Sequence, residues 1–147
     1  MLEINLLPEI PHGYVAGQSV TIAGSTILKL VPEGETAQDW NEMITMQVMS
    51  NDTGFTLEGF RYAMEMLFYE ALPGSRAKPI ENGQEEGTPT MIWSQSCLLN
   101  SQTGRPEMHF FKAVVRDDDI VVLEKAFKFE PTPRSSHHVS IFFGMRE

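Results

Sequence analysis

The chain has a single cysteine, Cys97, so it cannot close an intrachain disulfide. It is short of bases: eleven Lys and Arg face twenty Asp and Glu, and the net charge is −9. Nowhere do the bases gather into a run. Nucleic acids and anionic membranes are held through basic surface, so both are disfavoured as partners, and no nucleic acid is expected. No stretch reaches the roughly 18 apolar residues a membrane-spanning helix needs. The start, "MLEINLLPEIPHGY", has neither a basic opening nor a long apolar run, so it does not read as a signal peptide. A cytoplasmic protein is the default expectation; a leader already removed would make it periplasmic. Internal repeats and low-complexity linkers are also lacking. What remains is an ordinary globular composition, 41% hydrophobic and 21% charged over 147 residues. That length suits one domain, residues 1–147, with a core that needs no covalent staples.

The order of elements can be read from period and punctuation. Residues 12–31 predict two short strands turning at Ala23-Gly24, with Pro32 ending the second because it cannot donate a ladder hydrogen bond. "MITMQVM" at 43–49 alternates, with Ile44, Met46 and Val48 on one side and Thr45 and Gln47 on the other. Between these strands lies "VPEGETAQDWNEM". There Thr36 is expected to cap one helical turn, "AQDW", that aims Trp40 at the protein and launches the strand at Met43.

Residues 56–72 predict the main helix. Leu57, Phe60, Met64, Leu67 and Ala71 form its apolar stripe, Thr56 its N-cap, and Pro73-Gly74 its stop. Gly59 inside it suggests a close packing contact. The second half predicts a meander with turns at Asn82-Gly83, at 100–106 and at "RDDD". A second helix is expected at the C-terminus, over 131–147. The fold class expected is therefore α+β: an antiparallel sheet with one main amphipathic helix packed on one face.

Parity sorts each strand. Met91, Trp93, Cys97 and Leu99 share a side, as do His109, Phe111, Ala113 and Val115, and then Val121, Leu123, Phe127 and Phe129. These are expected to form the dry floor under the helix. The opposite side would collect Thr45, Gln47, Ser94, Ser96, Phe110, Lys112, Val114 and Glu124. Such a mixed face is either a solvated outer sheet surface or a shallow binding surface for a partner protein. The nine methionines lean slightly toward the second reading, because flexible thioethers suit adaptable surfaces.

The remaining polar residues offer little in the way of a catalytic or metal-binding pattern. His12, His109, His137 and His138 lack metal-ligand spacing, so no metal and no cofactor is expected. The serines lack a nucleophile elbow, and the single glycine of "GETAQDW" cannot cradle a phosphate. Cys97 with the parity-matched His109 is the one pair that could make a thiol enzyme.

"LVPEGETAQDWNEMITMQV", an amphipathic helix, "SCLLNSQTGRPEMHFFKAV" and "VVLEKAFKF" follow one another in a recognisable order. Over most of residues 14–130 the chain resembles the PsbP-like α/β fold, and within it small bacterial proteins of the DcrB type. The resemblance implies a non-enzymatic role. One DcrB-type branch serves type VI secretion as effector adaptors that shelter apolar toxin segments on the sheet surface. The matching positions here are the eight mixed-face residues; Lys112, Glu124 and the short C-terminal segment depart from that branch.

The leading expectation is a bacterial adaptor or chaperone that binds another protein, such as a secreted effector or toxin, with a homodimer left open. An acidic immunity protein against a basic toxin is the alternative, and it predicts binding that weakens steeply with salt. A small thiol hydrolase using Cys97 and His109 is the second alternative. It requires a thiol that reacts with a disulfide reagent as fast in the native chain as in the unfolded one; a protected native thiol eliminates it.

Overall fold

A computed structural model describes residues 13–22 and 24–129. Seven strands and one helix follow in order: β1 Tyr14–Ile22, β2 Ser25–Pro32, β3 Glu42–Ser50, α1 Leu57–Ala71, β4 Arg76–Glu85, β5 Thr88–Asn100, β6 Arg105–Val115 and β7 Asp119–Phe127. They form one antiparallel sheet in the order β1-β2-β3-β7-β6-β5-β4. The chain leaves the sheet centre after β3, runs through α1 to the far edge, and meanders back until β7 pairs with β3. The expected α+β class holds. The terminal helix expected over 131–147 lies outside the described residues.

Helix α1 starts as its sequence predicts. Thr56 is extended and its hydroxyl accepts a hydrogen bond from the Gly59 amide, satisfying one of the donors a helix start leaves free. Gly59 is close-packed, but against the cap itself: a Cβ there would lie 3.1 Å from the Thr56 hydroxyl oxygen. Asn51 fixes the approach. Its side chain accepts from the Phe55 amide and donates to the carbonyls of Phe55 and Arg116, tying the helix entry to the β6–β7 turn.

The inward stripe differs from the one expected. Phe60 is buried, and Leu57, Met64 and Phe68 pack beside it on the sheet. Leu67 is 60% exposed and Ala71 is exposed, so the stripe follows 60, 64 and 68 rather than 60, 64, 67 and 71. Phe68 displaces Leu67 because its ring reaches Phe111 and His109, with centroids 5.1 and 4.8 Å away.

Two turn assignments need correction. Asn82 and Gly83 lie inside β4, paired with Met91 and Thr90. The hairpin instead turns at Glu86-Gly87, between the paired Glu85 and Thr88. Both central residues have positive φ, 50° and 80°, as a two-residue type I′ loop requires. The "AQDW" stretch is a bend, not a helical turn. Thr36 still organises it, accepting from the Asp39 amide through its hydroxyl, while Glu35 accepts from the Asn41 amide at 2.5 Å.

The face assignments also change. Within each strand parity holds up to a bulge, but the strands are phased differently. One face carries Met43, Thr45, Gln47 and Met49, then Glu124 and Ala126, then His109 and Phe111, then Trp93 and Gln95. The other carries Ile44, Met46, Leu123, Lys125, Phe127, Phe110, Lys112, Ile92 and Ser94. The dry sets of β3 and β7 therefore fall opposite those of β5 and β6, and both faces are largely buried. A register irregularity after Cys97 turns Leu98 and Leu99 outward together, so Leu99 does not join Trp93.

Glu86 is a β-carbon-bearing residue held in a left-handed conformation that asparagine tolerates better. Glu86→Asn is expected to stabilise the chain by about 1 kcal/mol, read as a higher urea midpoint at unchanged slope. An unchanged midpoint would mean that this loop does not strain the hairpin.

Candidate functional site

Among the described residues, helix α1 packs on β5 and β6 and lies to one side of the β2-β3-β7 part of the same face. Between them runs an open groove of about 630 Å³. Its floor is Met43, Thr45, Gln47 and Met49 of β3, with Ile27 and Lys29 of β2 and Glu124 and Ala126 of β7. Its wall is the helix, through Phe60, Ala63, Met64, Leu67 and Phe68. Trp40 closes one end, where the Lys128 ammonium lies over its indole, 4.1 Å from the ring centroid. The bend held by Glu35 and Thr36 thus serves to place Trp40 at the groove.

The helix is held on its side of the face by Gln95, which is fully buried. Its amide donates to the Glu65 carbonyl of α1 and to the Ser75 hydroxyl. Beside it, at the seam between covered and open sheet, sits His109. Its Nδ1 lies 2.5 Å from Glu124 Oε2 and its Nε2 lies 2.8 Å from Glu107 Oε1. The Phe68 ring packs edge-on against the imidazole. Burial alone would push the His109 pKa down, but the two carboxylates outweigh it and raise the value to about 9. Glu107 shows the reverse balance: burial pushes it up, while bonds from His109 and from Asn100 Nδ2 at 2.8 Å hold it below the ordinary carboxylate value. The trio is an imidazolium clamped between two carboxylates.

This geometry does not assemble the Cys97–His109 pair. Cys97 lies across from Glu107, and its thiol donates to the Leu99 and Pro73 carbonyls. Both His109 nitrogens are committed to glutamates, so neither is available as a base for the sulfur.

The eight mixed-face residues are divided between the faces. Thr45, Gln47 and Glu124 line the groove. Ser94, Phe110, Lys112 and Val114 are buried on the opposite face, and Ser96 is half-buried there. On that side Lys112 pairs with Glu85, and Lys125 lies over the Tyr14 and Phe127 rings. Burial lowers the Lys125 pKa, against the opposing pull of Glu42. The eight positions therefore do not form one surface. Reasoning from sequence missed the helix wall and the His109 trio. The alternation in "EMH" already placed Glu107 and His109 on one side; Glu124 could join them only once the β6–β7 register was known.

The folded pKa of His109 lies above its ordinary value of 6.5, so protonation of His109 contributes stability that is fully present below about pH 6.5. That contribution is lost as pH rises through about 9. Unfolding free energy should fall between these limits in the native chain, and His109→Gln should flatten the fall. An equal slope in both would place the pH dependence elsewhere.

No family model matches the chain. No curated protein matches it either. Among solved structures it is similar to a point mutant of protein Mog1, at 14% identity and a TM-score of 0.50, with 90% of this chain and 76% of that one covered. It is also similar to the Saccharomyces cerevisiae Ran-binding protein Mog1p, at 14% identity and a TM-score of 0.49 over the same shares. What the likeness establishes is the architecture: seven antiparallel strands with one helix packed on them, the Mog1/PsbP-like α+β fold.

Proposed function

We propose that the chain is a non-enzymatic protein-binding module whose groove between α1 and β3 takes an apolar segment of a partner protein. The observation that carries this reading is the groove itself. It is open, mostly apolar, and lined by three methionines, Met43, Met49 and Met64, whose side chains adapt to varied shapes. Leu67, one of the five residues of the expected inward stripe, instead stands exposed at the groove wall. Sheltering such a segment is the work of an adaptor or chaperone, of which the DcrB-type secretion adaptors are one kind.

The sheet edges suit a partner less well. β1 carries a register irregularity between Ala16 and Gln18, and β4 carries one between Pro79 and Glu81, with Pro79 itself unable to donate. Bulges and proline are devices that discourage strand addition at an edge. The likeness to Mog1 concerns the fold; it is the groove that supports binding here.

Capture of partners from extracts of the source organism tests the proposal when three chains are compared. Leu67→Asp places a charge on the groove wall, while Leu98→Asp places one at a 92% exposed site remote from it. A stoichiometric partner should be kept by the native chain and by Leu98→Asp, with affinity falling about tenfold or more in Leu67→Asp. Retention by Leu67→Asp together with loss in Leu98→Asp would overturn the groove as the binding site.

A further inference from the structure

We propose that the groove's occupant is an amphipathic helix that carries an acidic side chain in a terminal turn, received by Lys29 and Thr45. This rests on the groove being a segment-binding site and specifies what the segment is.

Lys29 and Thr45 are direct cross-strand partners on β2 and β3, and both line the groove. Their β-carbons are therefore about 5 Å apart, close enough for an ammonium and a hydroxyl to meet one carboxylate. Among the described residues neither side chain has a polar partner. The next acid along the same row is Glu124, opposite Thr45 on β7. It stands two strands from Lys29, about 10 Å. Its carboxylate is already turned to the His109 Nδ1. A half-buried lysine thus lines a mostly apolar groove in a chain whose net charge is −9. Lys128 at the Trp40 end adds a second positive charge. An incoming carboxylate would make charge-assisted hydrogen bonds there.

The backbone argues for a helical occupant. β3, the centre of the floor, is paired on both sides by β2 and β7, so its ladder groups are used. A strand laid in the groove would leave its own amides and carbonyls without partners. A helix satisfies its own backbone and presents only side chains, which pack against Ala63, Met64 and Leu67 on one wall and the β3 methionines on the floor.

Fluorescence anisotropy with labelled synthetic helices tests this on the full chain. The probes are peptides of about 16 residues with Leu and Met at i, i+3, i+4 and i+7 spacing. They differ only in carrying glutamate or lysine in the first or the last turn. The native chain should bind one glutamate peptide about tenfold more tightly than its lysine counterpart. Lys29→Glu should reverse that preference, and Thr45→Val should shrink it, with melting temperatures near native. Equal binding of both charges, or a preference untouched by Lys29→Glu, would overturn the acid-receiving role while leaving segment binding intact. No binding of any peptide would overturn both.

Discussion

One helix is too narrow for this sheet. A helix with its side chains is roughly 10–12 Å across. Seven strands at a spacing of about 4.8 Å span close to 30 Å. With a single helix on its face, the described residues cover only part of it, and where the helix is pinned decides which part. Gln95, hydrogen-bonded to a mid-helix carbonyl, and Phe68, packed on Phe111, pin α1 over β5 and β6. The groove over β3 is the consequence. Its mixed floor is the remainder of that face, with the helix along one side among the described residues.

The His109 trio stands at the boundary between these regions. A buried imidazolium is costly in isolation, and two carboxylates with an added amide donor remove most of that cost. The pairing has a second effect. It consumes Glu124, the acid that would otherwise face Lys29 across Thr45, and it consumes both nitrogens that a catalytic histidine would need. The same contacts that secure the seam therefore weaken the case for an enzyme and leave Lys29 in the groove without a polar partner among the described residues.

Local signals carried much of the architecture. The cap at Thr56, the stop at Pro73-Gly74 and the alternation in "MITMQV" depend on neighbours a few residues away, and each stands where the sequence put it. Non-local relations did not show. Parity sorts one strand, but whether Thr45 shares a side with Glu124 or with Phe110 depends on register across pairs far apart in sequence, and a one-residue slip exchanges the faces. That is why eight positions read as one surface belong to two. Phe68 rather than Leu67 turned inward for a similar reason: helix period allows either, and only the position of Phe111 and His109 beneath it selects one. At the β4–β5 hairpin a strong local signal, Asn82-Gly83, lost to Glu86-Gly87, because the pairing of β4 with β5 continues past Gly83.

An NMR map of contacts between the chain and its captured partner tests the central claim most directly. The account predicts intermolecular contacts to the methyl groups of Ala63, Met64 and Leu67 on the wall and of Met43 and Thr45 on the floor. Contacts confined to the outward Leu98 and Leu99, or to the outermost strands β1 and β4, would contradict it.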